Sequence, residues 1–277
     1  MTVTVSAISP EVGVEVAGLA GHQLVDRQLA DQCQALLDRH GVVIYREAHI
    51  NDDDLVAFSH MLGKVVIAPT GGQKTHPEIS AISLDPAKSV LAAYRKGTFF
   101  WHIDGTNDET PQKATLLTAL RVSDEGGDTE FANTYAAYDA LSEADQATCA
   151  NLRVVHSFTA AQLLVTPNPS EKERAAWGRV PSREHPLVWT RRSGRTSLLL
   201  GATTERVVGL PEEEGRALLD RLLTWATQPR FVLHHHWHTG DLVIWDNTGM
   251  LHRAIPYEAT SPRLMHRTTL VGEEAVA

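Results

Sequence analysis

The sequence predicts a mainly β protein with flanking helices, built as an antiparallel barrel or jelly roll. Three observations carry this. From Thr98 onward the chain breaks into short segments rich in β-branched and aromatic residues, each bounded by turn residues. These segments do not alternate with helices, so the βαβ units of a parallel sheet are missing. Helical periodicity is confined to two early stretches and one late one, which places helices outside a β core. At 43% hydrophobic and 21% charged residues, the 277-residue chain has an ordinary globular composition. It reads as one domain over 1–277.

Residues 1–15 alternate polar and apolar and predict an edge strand with a tail. Asp26 opens a helix whose Leu29, Cys33, Leu36 and Leu37 share a face, and Gly41 ends it. The run VVIY (42–45) predicts a short buried strand. Asn51, followed by three aspartates, caps a second helix with Leu55, Phe58 and Leu62 inward, and Gly63 stops it. From Ile67 to Lys88 the chain is rich in Pro, Gly, Thr and Ser and predicts a long loop. The wider region 67–100 is expected to cover an active site. Strands are expected at 114–122, 152–158, 186–190, 196–201, 231–237, 241–246 and 265–272. One helix interrupts them, starting at Pro211, with Leu219, Leu222, Leu223 and Ala226 on one face.

The formal net charge is −9 and no basic stripe is present, which argues against nucleic-acid and membrane-surface partners. No apolar run approaches membrane-spanning length. The opening MTVTVSAISP lacks the basic-then-apolar pattern of a signal peptide, so the expected location is the cytoplasm. Cys33 and Cys149 lie far apart in helix-like surroundings and are expected to be reduced, structural thiols.

Histidine is the outlier, at 14 residues. With that many, a His-x-Asp/Glu match is expected about once or twice by chance, so context must decide. The chain has His76-Pro77-Glu78 and His102-Ile103-Asp104. The first lies in the Pro/Gly loop and is expected to be solvated. The second follows Phe99, Phe100 and Trp101, and in extended backbone residues i and i+2 point the same way. His102 and Asp104 therefore aim at one point from an apolar wall. The best third ligand is His252, which follows the strand-turn-strand unit GDLVIWDNTGMLHR (240–253). Two histidines and one carboxylate suit non-haem Fe(II) and leave coordination positions open. The run HHHWH (234–238) looks more like a metal site but predicts a strand. Phe231, Leu233, His235 and Trp237 form its core face, and His234, His236 and His238 form its outer one.

The blocks WHIDGTNDETP, EGGDTEFANTYAAYDAL, GDLVIWDN and LHRAIPYEATSPRLMHRTTL occur in order over most of the chain. In them the sequence resembles the taurine dioxygenase and chlorophenoxyacetate dioxygenase family of Fe(II)- and 2-oxoglutarate-dependent oxygenases. The resemblance implies a double-stranded β-helix, a cupin-like jelly roll. It implies that His102, Asp104 and His252 hold the iron, that Thr129 binds the cosubstrate, and that Arg263 clamps its distal carboxylate. Arg267 is implied to hold the substrate's anionic group. Gln162, Ala68 and Thr98 fall at substrate-facing positions. Residues 263 and 267 would share a strand face roughly 13 Å apart, at about 3.4 Å per residue, leaving room for two anions. An arginine fork suits each of them.

The implied reaction consumes O2 and 2-oxoglutarate, releases succinate and CO2, and hydroxylates a small organic anion. Asp104 favours that outcome, because related halogenases lack this carboxylate. Taurine enzymes place a histidine and a tyrosine where this chain has Ala68 and Gly71, and a phenylalanine where it has Gln162. The segment VVGLPEEEGRALLDRLLTWATQPRFV is similar to the phenoxyacetate branch, which points to a carboxylate, with aryloxyalkanoates as one class. Lys74, Tyr94, Arg95 and Lys96 lie in or near the covering loop and read as solvated. Other oxidations at the same iron, in secondary metabolism or on sulfonates, stay open, as do a cupin-like metal- or anion-binding protein and a zinc hydrolase. The family resemblance also implies a homo-oligomer, a dimer or tetramer.

Overall fold

The computed structural model describes residues 3–67 and 71–276. Ala68 lies outside these residues. A seven-stranded sheet runs, in spatial order, Thr4–Ala7, Val14–Ala17, Val42–Tyr45, Leu242–Asp246, Ala114–Arg121, Leu264–Thr269 and Ser80–Ile82. Its pairs are antiparallel except Val14–Ala17 with Val42–Tyr45. Opposite it, Val232–His235, Thr129–Asn133 and Met250–Ala254 form a three-stranded antiparallel sheet. Two facing, largely antiparallel sheets are the expected jelly-roll arrangement.

Side-chain alternation with period two explains why the large sheet is apolar on both faces. Val43, Tyr45, Leu116, Leu242 and Ile244 point to one side, against the helices Arg27–His40 and Asp52–Leu62. Val42, Ile44, Leu117, Val243 and Trp245 point to the other, where they meet Phe131, Leu233, Trp237 and Met250 of the small sheet. The two early helices carry the expected punctuation. Asp26 and Asn51 accept hydrogen bonds from the backbone of Leu29 and Asp54, and Gly41 closes the first helix at φ +71°. A third cluster lies under Glu212–Ala226, where Leu219, Leu222 and Ala226 pack on Trp189, Leu198 and Val207. Truncating a residue as buried as Leu222 to alanine costs about 2–5 kcal/mol.

The late helix is not the only one after Thr98. Helices also occupy Thr134–Asp139, Glu143–Cys149, Phe158–Val165 and Glu171–Trp177, and a 3-10 stretch covers Ala92–Phe99. The strand expected over 152–158 stops at His156, because the Ser157 hydroxyl caps the next helix by accepting from Ala160 N. Where one edge strand was expected over 1–15, Thr4–Ala7 and Val14–Ala17 form a hairpin, and the stretch expected as a loop holds the edge strand Ser80–Ile82. The histidine cluster alternates as expected: His234 and His236 are exposed, and Leu233, His235 and Trp237 are buried. The outer rings meet Asp128 at 2.9 and 3.1 Å. No helix among the described residues is long and apolar enough to cross a membrane.

Candidate active site

The backbone brings His102 and His252 together directly. The two residues form an isolated antiparallel bridge, with reciprocal N–H···O bonds of 3.0 and 2.9 Å. His252 lies on the strand Met250–Ala254, so this bridge fixes the loop carrying His102 to the rim of the small sheet. On its far side Ala202 N donates to Trp101 O at 2.7 Å. Gly201 permits this approach: at φ +115°, a Cβ there would stand 2.6 Å from Trp101 O.

His102 Nε2 and His252 Nε2 each lie 3.8 Å from an oxygen of Asp104. The donor atoms of all three residues fall within 4.8 Å of one another. These separations are too long for hydrogen bonds, so the donors converge without satisfying each other, as a cation between them requires. The far ring nitrogens are used. His102 Nδ1 donates to Phe100 O at 2.8 Å and His252 Nδ1 to Met250 O at 3.4 Å, which leaves each Nε2 lone pair facing inward. Burial, with the His102 ring alongside, pushes His252 down to about 3, so its imidazole is neutral. Burial alone would raise Asp104. Arg267 and the two histidines outweigh it, with a hydrogen bond from Thr115, and hold the carboxyl at about 2. Thr115 in turn accepts from buried Asn247 at 2.8 Å. A neutral imidazole, a second imidazole and an ionised carboxylate form a donor set that fits Fe(II).

Beside the triad, Thr129, Arg263, Tyr257 and Arg267 line an inner cavity of about 60 Å³ that also includes His102 and His252. Trp237 Nε1 donates to the Thr129 hydroxyl at 3.0 Å and sets its orientation. Arg263 is buried, and its Nε donates to Gly127 O at 3.0 Å. Arg263 and Arg267 both reach this cavity, although Arg263 precedes the strand Leu264–Thr269 and a bulge follows it. Burial lowers the Arg263 guanidinium, which Tyr257 partly offsets.

An adjoining cavity of about 500 Å³ holds His102, Asp104 and Arg267 at its base. Leu91, Tyr94, Phe158, Trp177 and Val180 contribute its apolar walls. Gln162 is buried on the helix Phe158–Val165 and faces this cavity. Thr98 lines it too, but its hydroxyl donates to Arg95 O at 2.7 Å. A larger groove of about 850 Å³, beyond Phe99–Trp101, contains none of the triad. Of the covering-loop residues, Lys74, Tyr94 and Lys96 are exposed as expected, but Arg95 is buried at 8% exposure and lines both inner cavities. Trp237, Thr115 and Tyr257 were not singled out by sequence either. Each is marked by what it touches across the fold, a signal no local pattern carries.

The family model described as taurine catabolism dioxygenase TauD, TfdA family matches residues 4–269. The chain is 32% identical over 292 residues to an alpha-ketoglutarate-dependent 2,4-dichlorophenoxyacetate dioxygenase of Cupriavidus pinatubonensis, with 100% of both chains covered. It is 31% identical to an alpha-ketoglutarate-dependent sulfate ester dioxygenase of Pseudomonas putida, covering 98% of this chain and 90% of that one. The crystal structure of AAD-2 in complex with Mn(II) and N-oxalylglycine matches the fold with a TM-score of 0.82 at 28% identity, covering 100% of both chains.

Proposed function

The chain belongs to the TauD/TfdA family of dioxygenases, and from that premise we propose that it is an Fe(II)- and 2-oxoglutarate-dependent dioxygenase hydroxylating a small carboxylate, with aryloxyalkanoates as the leading class. The observation that carries this reading is the convergence of His102, Asp104 and His252 within 4.8 Å, at the junction of two cavities. Iron, when held there, supplies the O2 chemistry that couples loss of CO2 from 2-oxoglutarate to oxygen insertion into a substrate C–H bond.

The protein's own residues do the positioning. His102 and His252 present lone pairs because their other nitrogens are tied to backbone carbonyls. Thr129 and Arg263 bind the distal carboxylate of 2-oxoglutarate in the inner cavity, by a hydroxyl and a guanidinium fork. Arg267 holds the substrate carboxylate, and the walls at Tyr94, Phe158 and Trp177 exclude water and take the apolar body. Relatives named for 2,4-dichlorophenoxyacetate and for sulfate esters support an organic anion as substrate, and the phenoxyacetate relative matches over its full length.

The test is stoichiometry. Protein supplied with Fe(II), 2-oxoglutarate, 18O2 and phenoxyacetate should yield succinate carrying one 18O, in an amount equal to the phenoxyacetate consumed. Product formation without succinate would sink the proposal, as would phenoxyacetate-independent succinate release at the same rate.

A further inference from the structure

Arg95 is an unexplained buried cation. It sits in the 3-10 stretch Ala92–Phe99 and is 8% exposed. A guanidinium has five N–H donors and needs acceptors when buried. Among the described residues Arg95 has one long contact, Nη2 to Ala81 O at 3.4 Å, and its Nε has no partner. Arg267 is only half-buried, but its Nε has no partner among the described residues, and its Nη1 lies 3.5 Å from Asp104. Burial and the neighbouring Arg267 push the Arg95 guanidinium down to about 10, so it remains charged at neutral pH. Both arginines belong to the linings of both inner cavities, together with Thr98 and His102.

The charges around this junction do not balance. Arg253 is paired with Glu130 at 2.7 Å. Arg263 turns to Gly127 O and Tyr257 on the cosubstrate side. Arg95 and Arg267 are left with Asp104, 3.5 Å from Arg267 Nη1, and Asp104 is the carboxylate that the metal requires. The metal and dianionic 2-oxoglutarate bring equal and opposite charges, so their arrival leaves the imbalance in place. Only a further anion can meet it. An oxyanion can accept charge-assisted bonds from two guanidinium groups at once, about twice as strong as those a neutral group accepts.

We propose that Arg95 is a second anchor for the substrate, so that its oxyanionic headgroup, a carboxylate or sulfate ester, is held between Arg95 and Arg267. This rests on the function proposed above and names the feature by which the site selects its substrate. Arg95 acts on specificity and substrate affinity, while cosubstrate binding belongs to Thr129 and Arg263.

The experiment uses the full chain, anaerobic and loaded with Fe(II) and 2-oxoglutarate. Changes in the metal-to-ligand charge-transfer band report binding of phenoxyacetate, hexyl sulfate and neutral phenoxyacetamide to wild type, Arg95→Gln and Arg95→Lys. The expected result is a Kd for the better-binding anion raised about tenfold or more in Arg95→Gln and less in Arg95→Lys. The 2-oxoglutarate Kd and the binding of phenoxyacetamide stay within about twofold of wild type. Thermal stability of Arg95→Gln is not lowered, because the change removes a buried charge that faces a like one. The inference is overturned if anion affinity is unchanged, if 2-oxoglutarate affinity falls in its place, or if anion and amide weaken equally. It is also overturned if the wild-type band forms but responds to neither anion, an outcome that leaves the oxygenase reading standing. Absence of the band in folded wild type overturns the oxygenase reading and this inference with it.

Discussion

Replacing Gly127 with alanine should weaken 2-oxoglutarate binding without touching the metal ligands. Gly127 adopts φ +77°, and a Cβ there would stand 2.9 Å from Arg263 Cδ and 3.0 Å from Arg263 Nε. The backbone cost of alanine in this left-handed conformation is about 1–2 kcal/mol. The steric conflict adds a second effect. Arg263 must swing away, and its Nε then loses the Gly127 carbonyl that holds it at 3.0 Å. A hydrogen bond involving a charged group contributes about 1.5–3 kcal/mol, which is about a 10- to 150-fold loss of affinity if the clamp depends on it. Gly209→Ala is the control: φ is +82°, so the backbone penalty is similar, but nothing lies within 4 Å of the added carbon. Anaerobic titration of 2-oxoglutarate into Fe(II)-loaded protein, beside thermal unfolding, reads both effects. Gly127→Ala should lose more stability than Gly209→Ala, by the conflict and the lost bond, and only Gly127→Ala should lose cosubstrate affinity. Folded Gly127→Ala that binds 2-oxoglutarate within about twofold of wild type would refute the placement of Arg263 as a clamp supported by this turn.

Three other consequences follow from the same geometry. Trp237→Phe removes the donor that orients Thr129 but keeps a ring in the core. The 2-oxoglutarate Kd should rise about three- to tenfold for a loss of about 1 kcal/mol, with Fe(II) affinity unchanged, as equilibrium titration would show. Asp241 is fully buried; burial would raise its carboxyl, but the His235 ring 3.3 Å away and hydrogen bonds from Glu47 N and His238 N bring it to about 2, and Arg46 pairs with it at 2.8 Å. Because the folded-state value lies below the unfolded one, its contribution of about 2 kcal/mol is complete above pH ~4 and is lost as pH falls toward 2. Asp241→Asn should lose about that much at pH 7 and flatten the acid limb of the denaturation curve; an unchanged acid limb would count against this. Burial pushes the Cys33 thiol up to about 12, so a disulfide reagent at pH 8 should label it only after unfolding, and rapid native labelling would contradict its packing.

What the sequence made legible is what repeats locally. Short apolar, β-branched or aromatic runs marked Val42–Tyr45 and Leu242–Asp246 as strands, and the caps at Asp26, Asn51 and Gly41 marked helix ends. The His102-x-Asp104 pair showed because two ligands lie two residues apart. The short helices between 134 and 177 were missed for a physical reason. At six to eight residues they are too short to show a full amphipathic stripe, and the β-branched run before Ser157 outweighed them. Their caps at Asn133, Ser142, Ser157 and Ser170 were nevertheless present in the sequence, with a full capping box at Ser170 and Glu173.

Arg95 was not legible at all. An arginine between Tyr94 and Lys96 in a loop reads as solvated. Its burial depends on the strand carrying Arg267 and on the helix Phe158–Val165, which close over it from far along the chain. The bridge between His102 and His252 is likewise tertiary, and it explains why residues 150 positions apart can share one ion.

The central claim is that His102, Asp104 and His252 hold iron beside a 2-oxoglutarate site at Thr129 and Arg263. Anaerobic addition of Fe(II) and 2-oxoglutarate to the metal-free protein tests it most directly, with wild type, Asp104→Ala and Arg263→Ala compared by absorbance. The account predicts a visible charge-transfer band in wild type, its loss in Asp104→Ala, and in Arg263→Ala a band that returns only at much higher 2-oxoglutarate. A folded wild-type protein without the band, or a band unchanged in Asp104→Ala, would contradict it.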